Sequence, residues 1–179
     1  MKIYLLLFLF LTSCGYRFGQ GNLSNCYSTI CIPYVQGDEK GLLTNALIRT
    51  ITTRTALTYS SQGAQLLLKV CLFEPIERNI GFDYSTIPGE DNIVVSNEGR
   101  LTLTAEVSLI DQCTGGCLMG PMKITSWIDY DFEPDLSNVN FHDFALGQLQ
   151  MNNLAKDAAY PPLYILLAEK IVDYVDHSW

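Results

Sequence analysis

A chain of 179 residues, 48% of them hydrophobic, is one domain's worth of sequence and long enough to bury a real core. It carries 11 Lys and Arg against 19 Asp and Glu, a formal net charge of −8. That balance argues against nucleic-acid binding, which needs a basic face, and leaves anionic lipid head groups attractive only to a local cluster of cations.

An apolar run from Ile3 to Leu11 follows Lys2 and closes on Leu11-Thr12-Ser13-Cys14. An aliphatic residue, two small residues and a cysteine make the pattern of a bacterial lipoprotein signal, in which the thiol is acylated and the chain is cut before it. Residues 1–13 are therefore read as a signal peptide and residues 14–179 as a single mature domain. The run is too short for a transmembrane helix, which needs ~20 apolar residues. Diacylglycerol and a fatty acyl group such as palmitate on Cys14 would be the only non-protein groups, each buried methylene adding ~0.8 kcal/mol of membrane affinity. Gly15 rather than Asp follows the cysteine, which points to outer-membrane sorting and a lipid anchor on the periplasmic face. Loss of Lys2 with the leader leaves 10 basic residues against 19 acidic, or −9.

With Cys14 acylated, five cysteines remain, an odd number that leaves at least one thiol unpaired or shared with another chain. Cys113 and Cys117 flank Thr-Gly-Gly and read as a candidate disulfide across a turn in an oxidising compartment. Cys26 and Cys31 either form a second bridge or cross-pair with the first two. Cys71 falls within an apolar strand and reads as a buried thiol. The spacings are looser than those of most structural zinc sites, and no metal is expected.

Along the chain, Thr29 to Tyr34 alternates as a strand with Ile30, Ile32 and Tyr34 on one face, and a polar turn covers Gln36 to Gly41. Leu43, Ala46, Leu47, Thr50, Ile51 and Leu57 recur at helical spacing. Ala64 to Glu74 is apolar on alternate positions of both faces, which predicts a strand buried on two sides. Residues 79–97 read as an irregular loop. Leu101 to Leu109 gives the cleanest alternation and pairs with Ile124 to Phe132 in a predicted antiparallel hairpin. A weak helix covers Asp143 to Lys156, and Pro161-Pro162 after Tyr160 reads as the start of a last helix carrying Leu163, Leu166, Leu167, Ile171, Tyr174 and Val175. The order β-α-β-β-β-α predicts an α+β two-layer sandwich, with a small four-stranded, mostly antiparallel or mixed sheet and two helices on one face.

The succession of these motifs resembles the LPS-assembly lipoprotein LptE family. It runs from Cys14-Gly15-Tyr16-Arg17-Phe18 through Ile30-Cys31-Ile32-Pro33, the Leu42 to Leu47 helix, the Ala64 to Val70 and Leu101 to Leu109 strands, and the terminal Leu167 to Val172 helix. The resemblance implies an outer-membrane lipoprotein that plugs the lumen of an LptD-type β-barrel and supports delivery of lipopolysaccharide to the cell surface, without catalysis. This chain departs from the family in its cysteine count, its acidity and an insertion from Asp143 to Tyr160.

No nucleophile with a base, paired acids in a motif or Gly-rich phosphate loop stands out, so no enzymatic activity is expected. His142 and His177 read as surface residues. Asp129, Asp131, Glu133 and Asp135 read as a solvated edge, with calcium ligation as the alternative. For a chain seated in a barrel, Arg100, Thr102, Thr104 and Glu106, with Lys123, Thr125 and Trp127, become contact surface rather than an idle wet face. Arg78, Arg100 and Lys123 are the cations to test for lipopolysaccharide. The rival reading is a lipid-anchored periplasmic adaptor or binding module of another envelope complex.

Overall fold

The computed structural model describes residues 23, 26–85, 93–131 and 146–177. Over these the chain forms β1 (Thr29–Cys31), α1 (Leu42–Arg54), β2 (Thr58–Tyr59), β3 (Leu66–Leu72), β4 (Ile76–Ser85), β5 (Ile93–Asp111), β6 (Cys117–Asp131) and α2 (Leu146–His177). Cys14, His142, Glu133 and Asp135 lie outside the described residues.

The α+β class holds, with two long helices against a mixed sheet, but the sheet has six strands rather than the four predicted. Two errors account for the difference. β2 spans two residues, too few for any period to register, and pairs in parallel with β1. The supposed loop at 79–97 contains most of β4 and the first residues of β5; register shifts around Gly81 break the two-residue alternation that marks a strand in sequence.

β5 is the spine. β3 and then β4 run antiparallel along one of its edges, pairing Leu66 with Asp111 through Ser85 with Ile93, and β6 takes the other edge in the predicted hairpin. The inner face of this spine is the core, where Leu66, Leu68, Leu101, Leu103 and Leu109 meet Leu43, Leu47 and Ile51 of α1 and Leu163, Leu167 and Ile171 of α2. Alternation on the strands and three-to-four spacing on the helices place these residues together.

β3 is not buried on two sides. Leu66, Leu68, Val70 and Leu72 are buried, whereas Leu67 and Cys71 are half-buried, Lys69 is exposed and Phe73 is 40% exposed. Both helices lie on one layer, so the outer layer of the sheet has no covering element among the described residues. Tyr34 likewise leaves the face of Ile30 and Ile32: Pro33 interrupts the alternation, Val35 is buried in its place, and the Tyr34 hydroxyl donates to the carbonyl of Asp38.

The two predicted C-terminal helices are one helix of 32 residues, with Pro161 and Pro162 inside it. Proline supplies no N–H, so the carbonyls of Asp157 and Ala158 lose their usual partners. Packing of Ala159, Leu163 and Leu167 against the core carries the helix across that gap. The insertion noted before the last helix is thus largely the first half of α2.

A polar clasp joins α2 to the sheet. Glu77 on β4 accepts hydrogen bonds from the Tyr130 hydroxyl on β6 and from Lys156 Nζ on α2. The Tyr130 ring reaches it by lying across Gly99, where a Cβ would sit 2.7 Å from the ring. The bond from Lys156, then that from Tyr130, holds the Glu77 carboxyl below its ordinary value, whereas burial followed by the Glu77 carboxylate pushes the Tyr130 phenol up. A carboxyl with a lowered folded pKa contributes stability that is present above its unfolded value of 4.5 and is lost as pH falls toward the folded one. Acid titration of thermal stability should therefore show a drop below that pH that is smaller in Glu77→Gln; identical titrations would contradict the clasp.

A candidate interaction surface on the outer sheet face

Directly opposed residues on paired strands point to the same side, so the register fixes what the outer face displays. One row carries Arg78, Arg100 and Asp129; the next carries Ile76, Thr102 and Trp127; a third carries Thr104 and Thr125; a fourth carries Glu106 and Lys123. All four residues singled out from the sequence, Arg78, Arg100, Lys123 and Trp127, lie on this one face.

Arg100 is the organising group. Its Nε and Nη2 donate to the two carboxylate oxygens of Asp129 at 2.7 and 2.9 Å, and its guanidinium carbon lies 4.1 Å from the centre of the Trp127 ring. A planar cation thus sits between a carboxylate and an indole face, the geometry for which arginine is suited and lysine is not. The hydrogen bond to Asp129 raises the Arg100 pKa, and the same bond holds the Asp129 carboxyl below its ordinary value. Asp129, read as part of a solvated acidic edge, is in fact an ion-pair partner.

Lys123 Nζ lies 5.1 Å from the centre of the Phe73 ring, and the hydroxyls of Thr104 and Thr125 are 3.0 Å apart. Arg78 stands beside Arg100 in the register and has no ion-pair partner among the described residues. Large apolar groups are interleaved: Trp127 is 49%, Ile76 51% and Phe73 40% exposed. Sequence reasoning missed Phe73 and Ile76, because the break at Glu74-Pro75 hides the continuity of β3 with β4.

Cys113 and Cys117 lie exposed at the β5–β6 turn; Cys26 is exposed, and Cys31 and Cys71 are partly buried. The turn is held by Asp111, whose carboxylate accepts from the Cys113 N–H at 2.8 Å and from the Thr114 hydroxyl at 2.9 Å. The Cys113 bond is the largest influence holding the Asp111 carboxyl below its ordinary value. No group of three potential metal ligands is found among the described residues.

The result is a two-layer α+β domain with one face given to its own core and the other displaying cations, rings and apolar side chains. Residues 27–175 match the family model LptE, described as lipopolysaccharide-assembly, and the chain belongs to that family. Among solved structures, an uncharacterized lipoprotein B from Nitrosomonas europaea shares the fold with a TM-score of 0.54 and 14% identity, over 84% of this chain and 83% of that one. A minor lipoprotein from Acinetobacter baumannii gives a TM-score of 0.48 and 18% identity over 84% and 91% of the two chains. The rare lipoprotein B from Shewanella oneidensis gives 0.47 and 15% over 83% and 93%. No curated protein matches.

Proposed function

We propose that this chain is an outer-membrane lipoprotein, acylated at Cys14, that seats in an LptD-type β-barrel and supports lipopolysaccharide transport as a fitted, non-catalytic part. Membership of the lipopolysaccharide-assembly family supports the pathway. The observation that carries the seating is the Trp127–Arg100–Asp129 arrangement on a sheet face that no element covers among the described residues. Tryptophan and arginine are the residues most often responsible for binding energy at protein interfaces. Direct contact with lipopolysaccharide falls best to Arg78, since Asp129 neutralises Arg100 and Lys123 stands opposite Glu106. Cys113 and Cys117 are the pair we propose to be bridged in the oxidising envelope; thiol counts with and without reductant read this, and equal counts refute it.

The test is a photocrosslinker placed at Trp127 or Arg100 in cells. Capture of a large outer-membrane barrel is expected from these positions, and none from Asp173 on the exposed side of α2. Capture of only soluble periplasmic proteins would defeat the proposal. Cys14→Ser should leave the precursor unacylated and away from the outer-membrane fraction; normal fractionation of that variant would contradict the anchor.

A further inference from the structure

Pairing on β5 decides which way the main chain of β6 points. The carbonyl of Thr104 accepts the Phe73 N–H at 2.9 Å, so the main-chain groups of Thr104 face β3. A strand residue turns its N–H and C=O to the same side, and directly opposed residues of an antiparallel pair exchange both bonds or neither. Thr125, opposite Thr104, therefore shares no bond with β5 and presents both groups at the outer edge of β6. By the two-residue period, Lys123 and Trp127 do the same. No strand lies beyond them among the described residues, and all three residues are exposed.

Two details of the chain agree with an open edge at this place. Lys170 of α2 donates from Nζ to the Thr125 carbonyl at 3.0 Å, as an outward-turned oxygen allows. Pro121, two positions before Lys123, has no N–H to offer and closes the row at that end.

The charge around the row is of one sign. From Cys117 to Ile128, β6 has no Asp or Glu, in a chain with 19 of them, and its one charged side chain there is Lys123. On α2 the acids closest to Lys170 in sequence, Glu169 and Asp173, are both paired with Arg54 of α1. Glu106 stands opposite Lys123 on β5, yet neither Lys123 nor Lys170 enters an ion pair among the described residues. Two such edges brought together would set the lysines of one copy against those of the other, which disfavours self-pairing. An acidic strand meets no such repulsion.

We propose that the β6 edge from Lys123 to Trp127 takes an extended acidic segment of a partner polypeptide as a further strand. The segment's main chain bonds to Lys123, Thr125 and Trp127, and carboxylates on its two faces meet Lys123 on the outer layer and Lys170 on the helix layer. As the strand arrives, an incoming N–H replaces Lys170 on the Thr125 carbonyl, and the freed ammonium passes to a carboxylate, a stronger acceptor. The edge borders the Arg100–Trp127 surface, but what it recognises is main chain and charge, and it does not rest on the barrel reading.

The test uses the full chain and an acetylated, amidated hexapeptide, Val-Thr-Glu-Glu-Thr-Val, whose adjacent glutamates point to opposite faces of a strand. Binding is followed by amide NMR. Expected are saturable shifts at the amides of Lys123, Thr125 and Trp127, larger than those at Ile124, Ser126 and Ile128, with a dissociation constant of ~1 mM or tighter. The same peptide methylated on the nitrogens of both glutamates and both threonines keeps its charge but cannot donate from those positions, and should give no shifts at millimolar concentration. The peptide with Gln at both Glu positions, and the protein variant Lys123→Gln with Lys170→Gln, should each bind about tenfold more weakly, as loss of charge-assisted bonds implies. An unchanged melting temperature of the variant separates lost binding from lost folding. Equal binding of the methylated or the Gln peptide, shifts without alternation along 123–128, shifts that grow with protein concentration alone, or no shifts at millimolar peptide would each overturn the proposal. The experiment contains no barrel, so its failure leaves the seating of the outer face standing, and failed capture of a barrel in cells leaves this edge standing.

Discussion

Leu103→Asp and Leu167→Asp are each expected to abolish cooperative unfolding, whether followed by heat or by urea. Leu103 lies at the centre of β5 and Leu167 at the middle of the α2 core stripe, and both side chains are fully shielded from solvent. A carboxylate at either position has no cation within its apolar surroundings, and burying an unpaired ionised group costs several kcal/mol even after the structure relaxes. Net stabilities of ~5–15 kcal/mol leave little margin for such a loss, because the lost leucine contacts add to it. The control is Thr104→Asp, one position along the same strand on the outer face, where a change within about 1 kcal/mol is expected. If both core variants retain a sharp transition while Thr104→Asp does not, the assignment of inner and outer faces is inverted.

The same alternation that makes Leu103 vulnerable made the hairpin readable from sequence. Five apolar residues from Leu101 to Leu109 on every second position can satisfy only one geometry, and all five are buried. Register is a different matter. Counting outward from the turn pair Ile110–Cys117 would set Arg100 opposite Trp127, but irregularities between Val107 and Ile110 advance the pairing by two residues and bring Asp129 opposite Arg100 instead. A shift of two keeps every side chain on its face, so the surface was predictable while its ion pair was not. Gly120-Pro121 was the available signal, since proline cannot donate to a ladder and a Cβ at Gly120 would lie 2.3 Å from the carbonyl oxygen of Val107.

Pro161-Pro162 misled for the opposite reason. Local propensity favours ending or starting a helix at such a pair, yet Ala159 and Leu163 on either side of it are both buried, and tertiary packing overrides the local cost. On the outer sheet face, Leu67, Cys71 and Phe73 led to the expectation of a covering layer within the chain. In the fold that covering layer is absent among the described residues, and Phe73 stays 40% exposed beside Lys123 on the mixed outer face.

The second large effect is expected at Asp38, where a charge is buried to good purpose. Gly41 is the N-cap of α1 and has no side chain to satisfy the first amides of the helix. Asp38, 1% exposed, does so from three residues upstream: one carboxylate oxygen accepts from the Leu42 N–H at 3.0 Å, and the other from the Thr44 N–H at 2.8 Å and the Thr44 hydroxyl at 2.9 Å. Thr44 Oγ1 in turn accepts from the Val35 N–H at 3.1 Å, tying the incoming strand to the helix start. Three donors on one carboxylate, with the helix N-terminus behind them, compensate for desolvating the charge. Asp38→Ala would leave those donors unpaired in a dry site and is expected to lower unfolding stability by ~2–4 kcal/mol. Asp38→Asn keeps one carbonyl acceptor and should lose roughly half as much, so the pair of variants separates lost hydrogen bonding from lost packing. Urea denaturation of both proteins reads the order; an Asn variant no more stable than the Ala variant would assign the cap to shape alone.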